Sequence, residues 1–176
     1  MNKIVMAFRH GLSILLLPFM VVVVVPRWLL AAFPASDTRW VSGAPSTWLP
    51  RSAGGLLGLL GFALFVWCLA LFIRVGRGTL APWDPTRRMV AVGPYRLVRN
   101  PMICGVALML LGQALFWGSW IAGAWACAFV LINHVYFVLL EEPGLESRFG
   151  ESYREYKASV PRWVPRIGKG SSVLKR

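Results

Sequence analysis

Residues that build metal sites, disulfide frameworks and hydrolytic triads are scarce in this chain. It has three cysteines, two histidines and seven acidic residues among 176. Cys68, Cys104 and Cys127 lie in apolar runs, without C-x-x-C spacing and without neighbouring histidines. This pattern excludes a zinc site and a disulfide framework, and we expect no metal. An obvious Ser/His/Asp or Cys/His arrangement for nucleophilic catalysis is also missing from the sequence.

Apolar sequence makes up most of what remains. Hydrophobic residues account for 57% of the chain, and the mean hydropathy is +0.60. Four apolar runs occupy residues 12–33, 54–73, 102–117 and 120–140. The second and fourth approach the ~20 residues that a helix needs to cross a bilayer. We therefore predict a single all-α domain, a polytopic integral membrane protein with about four transmembrane helices. The first run follows Lys3 and Arg9 as in a signal peptide, but we expect it to be retained as a span because no clean small-x-small cleavage site follows.

Basic residues are distributed unevenly along the chain, which has a net charge of +12. Two precede the first run, six lie between the second and third, and eight follow the fourth, leaving Arg27, Arg39 and Arg51 for the other side. By the positive-inside rule this distribution places both termini in the cytoplasm, and we expect a bacterial inner membrane location. Because these charges follow the membrane ends, we expect membrane lipids as partners and no nucleic acid.

The pattern divides the chain into three parts within this one domain. Residues 1–75 form a two-span part, and the glycines at 54, 58 and 61 predict close packing of the second span against the first or third. Residues 76–166 hold a loop, a helical hairpin and a C-terminal helix, and residues 167–176 form a basic tail. We expect the C-terminal helix to resume at 145–157 after a break at Pro143-Gly144, and to lie on the headgroups as an amphipathic interfacial helix.

Two polar motifs stand at the same predicted edge of the membrane. The first is Gly93–Gly105, GPYRLVRNPMICG, in a loop with dense Gly/Pro punctuation, six arginines and one acid, Asp84. The second is the Glu141-Glu142 pair. Loop arginines and amides could hold a ligand carboxylate while a glutamate takes an ammonium or ribose hydroxyl. Alternatively, the loop is a positively charged flank and the glutamates neutralise it.

Three polar residues lie within the third and fourth apolar runs. Gln113 and Asn133 are expected to form interhelical hydrogen bonds. His134 precedes Glu141 by seven residues, about two helical turns, which places both on one face. It either lines the same site or forms a structural hydrogen bond.

The two motifs together resemble the isoprenylcysteine carboxyl methyltransferase family and the similar phospholipid methyltransferases. That pattern reads G-x-Y-x-x-x-R-H-P-x-Y-x-G, then E-E-x-x-L, FG-x-x-Y-x-x-Y and VP, and it matches about residues 76–166. The resemblance implies S-adenosylmethionine bound at the cytoplasmic edge of the membrane. It also implies methyl transfer to a carboxylate, thiol or amine of a lipophilic or small-molecule acceptor.

Site residues follow from the resemblance position by position. The cofactor would be bordered by Tyr95, by the Asn100-Pro101-Met102-Ile103 segment, by the backbone of Val90, and by Glu141. Arg99, Asn100 and Glu142 are the implied catalytic residues.

Three positions depart from the family pattern. Asn100 replaces the motif histidine and Ile103 the motif tyrosine, while a substrate-side arginine falls at Phe137. Asparagine can hydrogen-bond but cannot act as a base. Two other functions therefore stay open, an NADPH-dependent membrane reductase of the sterol type and a non-catalytic membrane relative.

Overall fold

The computed structural model describes residues 17–33, 47–76 and 89–165, and these ranges contain helices and turns but no strand. Helix α1 spans Leu17–Ala32, with a π-helical turn at Met20–Val24. Helix α2 spans Trp48–Leu71 and ends in a π-helical turn at Phe72–Gly76. A 3₁₀ turn at Gly93–Arg96 precedes α3, Pro101–Trp117. Helix α4, Trp120–Tyr136, runs through a π-helical turn at Phe137–Glu141 into α5, Glu142–Phe149, and α6 is Glu151–Ser159. The predicted all-α architecture is confirmed for these residues.

Two of these helices have the length and composition of a membrane span. They are Trp48–Val75 and the continuous helix Trp120–Phe149, whereas α1 and α3 are shorter. Large apolar side chains on α2 point away from the protein, with Leu59 69% and Phe62 56% exposed. A soluble protein would bury such a surface, whereas hydrocarbon suits it. These features support a membrane protein, and the count of four spans stays a prediction.

Helices α2 and α3 pack closely through facing glycines. A Cβ added to Gly61 would lie 2.6 Å from the carbonyl oxygen of Gly105, and one added to Gly54 would lie 2.6 Å from that of Gly112. The predicted small-residue packing of the second span is confirmed for Gly54 and Gly61, with the third span as partner, whereas a Cβ added to Gly58 would meet nothing within 4 Å. The contact repeats at positions 54 and 61 because seven residues make about two helical turns, which brings both glycines to the same face of α2.

The π-helical turn in α1 leaves backbone carbonyls for its neighbours. Gln113 Nε2 of α3 donates to the carbonyl of Val22 at 2.8 Å, and Trp125 Nε1 of α4 donates to that of Val21 at 3.0 Å. Polar backbone groups in an apolar surrounding need such partners. The interhelical role predicted for Gln113 is confirmed. Asn133 differs, since its Nδ2 donates to the carbonyl of Phe129 on its own helix at 2.8 Å.

The predicted break at Pro143-Gly144 is wrong. The helix continues through it, and the chain turns instead at Gly150, where φ is +55°. Proline removes one backbone hydrogen bond, and the π-helical turn immediately before Pro143 already departs from the regular bonding pattern there.

The aromatic face of α6 points inward, and the predicted position of this helix on the headgroups stays a prediction. Tyr153 and Tyr156 are 2% and 5% exposed. They pack with Val160 against Met89 and Ala91 of the loop before α3. The helical spacing of these aromatics indicated an apolar face correctly, but the partner of that face is the protein's own loop.

Candidate functional site at the polar end of a helical cavity

A cavity of about 780 Å³ opens between the helices and the loop that precedes α3. Its long wall is apolar and includes Phe65 of α2, Val106 of α3, and Trp125 and Phe129 of α4. Its other end is polar and is formed by the start of α3, the π-helical turn after α4, and α5 with α6. The polar lining residues there are Tyr95, Arg99, Asn100, Glu141, Glu142, Arg148, Tyr153 and Tyr156.

The loop before α3 is fixed from two sides. Tyr95 packs its ring against Phe72 at the end of α2, with 6.2 Å between ring centroids. On the other side, the Tyr156 hydroxyl of α6 donates to the carbonyl oxygen of Tyr95 at 2.6 Å. Burial raises the pKa of both tyrosines, so each phenol stays protonated and Tyr156 stays a donor. The loop is therefore a fixed wall of the cavity.

Glu142 is the centre of a buried ion-pair network. Arg162 donates to both of its oxygens, through Nε to Oε1 at 2.7 Å and through Nη2 to Oε2 at 3.0 Å. Arg99 Nη1 lies 2.9 Å from Oε1, and Lys157 Nζ lies 3.5 Å from Oε2. The carboxylate is 6% exposed. The interpretation that a glutamate neutralises nearby arginines therefore describes Glu142.

Arg99 retains bonding capacity in spite of this ion pair. Its side chain is 11% exposed. Its Nε and Nη1 atoms are buried without a hydrogen-bond partner among the described residues, since the contact of Nη1 with Glu142 has the distance of an ion pair but not the geometry of a hydrogen bond. These two atoms have no access to the cavity, so a ligand there would meet only the part of the Arg99 side chain that remains exposed.

Glu141 differs from its neighbour. It lines the cavity and is partly buried. No ion pair or hydrogen bond of its side chain is found within residues 17–33, 47–76 and 89–165. Its carboxylate is thus available to a group inside the cavity.

Most of the other sequence-predicted residues are gathered around the same space. Val90, Tyr95, Asn100, Met102 and Ile103 line the cavity, as do Arg99, Glu141 and Glu142. Pro101 is fully buried as the first residue of α3 and does not line it. The Asn100 side chain makes no capping hydrogen bond to α3. The first amide groups of that helix also lack intrahelical partners, as at every helix start.

His134 lies outside the cavity lining. Its Nδ1 accepts a hydrogen bond from Trp163 Nε1 at 3.0 Å, which is the structural alternative considered from the sequence. The π-helical turn at Phe137–Glu141 changes the rotation between His134 and Glu141, so their seven-residue spacing no longer places them on one face.

Four C-terminal residues that were not predicted from the sequence as site residues line the cavity or contact its lining: Tyr153, Tyr156, Arg162 and Trp163. The helical spacing of the two tyrosines predicted that they lie on one apolar face. No local pattern connected Arg162 with Glu142, which lies twenty residues earlier.

The chain is similar in sequence to a family of methyltransferases and to several individual proteins. The phospholipid methyltransferase family model matches residues 52–152. Over 63 residues the chain is 36% identical to an uncharacterized protein of Haemophilus influenzae, covering 36% of this chain and all of that protein. Over 76 residues it is 33% identical to methanethiol S-methyltransferase 2 of Bradyrhizobium diazoefficiens, covering 42% of this chain. It is 32% identical over 82 residues to the protein-S-isoprenylcysteine O-methyltransferase of Schizosaccharomyces pombe, covering 45% of this chain.

The two named relatives are longer proteins. The match spans 27% of the methanethiol enzyme and 34% of the isoprenylcysteine enzyme. No solved structure matches the chain significantly. The family model, however, covers more than half of the sequence and includes the loop, the helical hairpin and the glutamate pair. The chain therefore belongs to the phospholipid methyltransferase family.

Proposed function

We propose that this protein is an S-adenosylmethionine-dependent methyltransferase that acts on a lipophilic or small-molecule acceptor at the cytoplasmic edge of the membrane. Family membership and the methyltransferase names of two relatives support the reaction class. The observation that carries the proposal is the polar end of the cavity, where the Glu141 carboxyl group, which has no partner among the described residues, and the Arg99 guanidinium line one space.

These residues fit the amino-acid part of S-adenosylmethionine, which carries an ammonium and a carboxylate. Glu141 has the charge to hold the ammonium or a ribose hydroxyl. Arg99 can donate to the carboxylate, and the amides at the start of α3 lie where a helix favours negative charge. Asn100 would serve as a neutral hydrogen-bond partner. Tyr95, Met102, Ile103 and the backbone of Val90 would form the surrounding wall.

Methyl transfer from a sulfonium requires little covalent participation by the protein. When bound, S-adenosylmethionine would supply a methyl group on a positively charged sulfur; its transfer to a lone pair of the acceptor would leave the neutral thioether, with any acceptor proton passing to bulk solvent once the product leaves. Arg99, Glu141 and the α3 amides align the donor, and alignment alone can contribute much of the acceleration. The apolar wall excludes water from the reacting atoms. Glu142 has basic partners on both oxygens, which favours a structural role over proton transfer.

The acceptor would occupy the apolar part of the cavity. Phe137, at the position where the resembled family has a substrate-side arginine, is 5% exposed and lines this space. An apolar side chain there suits an acceptor with an apolar body. The proposal includes methyl transfer to an oxygen, sulfur or nitrogen atom of the acceptor.

The test compares charge-neutralising variants of glutamates that the structure places differently. Glu141→Gln should weaken S-adenosylmethionine binding roughly tenfold to a hundredfold, the loss of one charge-assisted hydrogen bond, with little change in thermal stability. Glu142→Gln should weaken binding less but lower the thermal midpoint, because it leaves buried arginines poorly paired. Affinity would be measured by calorimetry on the purified protein in detergent.

Glu155→Gln is the matched control, since Glu155 is an exposed residue of α6. It should change neither affinity nor stability. Equal affinity in Glu141→Gln and the wild type would contradict the proposal that Glu141 contacts the cofactor.

A further inference from the structure

The segment after α6 packs behind residues that line the polar end of the cavity, and we call residues 160–163 the C-terminal strap. Val160 is 2% exposed. The carbonyl oxygen of Pro161 accepts a hydrogen bond from the Arg99 amide at 2.9 Å. Trp163 donates to His134 at 3.0 Å, and its ring lies 5.9 Å from that of Phe137. The strap is thus attached to the loop and to the end of α4.

Arg162 of the strap controls the orientation of the Glu142 carboxylate. Its two donors take one oxygen each, at 2.7 and 3.0 Å. A planar guanidinium that meets both oxygens of a carboxylate fixes its rotation as well as its position. Lys157 approaches only Oε2, at 3.5 Å, and supplies charge without this geometric constraint. Arg162 is therefore the partner that determines where Oε1 points.

The oriented oxygen is the one that faces Arg99. Oε1 of Glu142 lies 2.9 Å from Arg99 Nη1, while the Arg99 amide is held by Pro161 of the same strap. An arginine side chain loses much rotamer freedom when it is ordered, so a free Arg99 would sample many directions. Anchored at its amide and by the ion pair at Nη1, Arg99 keeps its guanidinium at the cavity wall, where 11% of the side chain remains exposed.

We propose that Arg162 is a positioning residue, which acts through Glu142 to aim the Arg99 guanidinium at the carboxylate of the methyl donor. This inference rests on the proposed function. It assigns a role to a residue that does not line the cavity and that lies 63 positions after Arg99 in the sequence.

The test uses two adenosine thioethers, only one of which carries the amino-acid part of the methyl donor. S-adenosylhomocysteine carries the amino-acid carboxylate, whereas 5′-methylthioadenosine lacks the whole amino-acid part. Arg162→Gln should weaken S-adenosylhomocysteine binding about tenfold, because Arg99 is no longer aimed. Binding of 5′-methylthioadenosine should change less than about twofold, since it makes no use of Arg99. Arg162→Lys, which keeps the charge but loses the bidentate fork, should give an intermediate loss.

Arg154→Gln is the matched control. Arg154 pairs with Glu146 and Glu151 on the outer surface, and its side chain is 61% exposed. It should leave both affinities unchanged. If Arg162→Gln does not fold, Arg162→Lys provides the same comparison between the two ligands.

Unchanged S-adenosylhomocysteine affinity in folded Arg162 variants would overturn the positioning role. Equal loss for both ligands would also overturn it, because a general loosening of the site would then explain the effect. Wild-type protein that binds neither S-adenosylmethionine nor S-adenosylhomocysteine would instead overturn the proposed function itself.

Discussion

Glu141 and Glu142 are adjacent in sequence but have different surroundings. Glu142 has three basic side chains within 3.5 Å, whereas the described part of the chain gives Glu141 no ionic partner. The sequence alone could not decide which glutamate binds a ligand and which neutralises the nearby arginines, because both residues stand at the end of one apolar run. Tertiary contacts from Arg99 and Arg162 decide the question, and neither contact is local in sequence.

Asn100 provides a prediction at the residue scale. Its side chain lines the cavity and makes no capping bond, so it is available to a ligand. Asn100→Leu should weaken S-adenosylmethionine binding by about 1–3 kcal/mol, because a polar group of the ligand would lose its partner. Asn100→His restores the residue of the family pattern and should be tolerated. The introduced imidazole should make the affinity for S-adenosylmethionine depend on pH near 6.5, whereas asparagine at this position does not titrate.

Calorimetry at several pH values measures these affinities, after thermal melting has confirmed that both variants are folded. If Asn100→Leu bound as tightly as the wild type, this residue would not be a cofactor contact.

At the scale of elements, hydrophobic runs and glycines predicted the helices and the packing of α2 better than they predicted helix ends. The glycines of α2 are a local pattern that can be read directly, although the sequence left open whether the first or the third span faces them. The π-helical turn at Phe137–Glu141 has no such pattern, and it both carries the helix past Pro143 and turns His134 away from Glu141. The partner of α6 was equally hidden, because an amphipathic face fits a membrane surface as well as a protein loop.

The glycine contact gives a prediction at this scale. Gly61→Ala should destabilise the protein by about 1–3 kcal/mol, because the new Cβ would meet the backbone of α3 and push the helices apart. Gly55→Ala is the control on the same helix, since a Cβ there meets nothing within 4 Å. It should leave stability unchanged or raise it slightly through higher helix propensity.

Thermal midpoints in one detergent would measure both effects. Equal midpoints for the two variants would show that the α2–α3 contact is looser than described.

The whole molecule combines features that composition predicts with others that it does not. Apolar content and run lengths predicted an all-α membrane protein, and the paired motifs led to the family. The uneven distribution of arginine and lysine predicts cytoplasmic termini, and this orientation stays a prediction. The cavity itself could not be predicted, since its walls come from segments far apart in the chain. Among the predicted contact residues, Pro101 is buried at the start of α3 and does not line the cavity.

The most direct test of the central claim is a calorimetric titration of the purified full-length protein in detergent with S-adenosylmethionine, and separately with NADPH. Our account predicts saturable binding of S-adenosylmethionine with one site per chain and no binding of NADPH, because the polar end offers a carboxylate and a guanidinium suited to a zwitterion. Saturable binding of NADPH without binding of S-adenosylmethionine would contradict the account and favour a reductase. Binding of neither ligand would also contradict it and favour a non-catalytic relative.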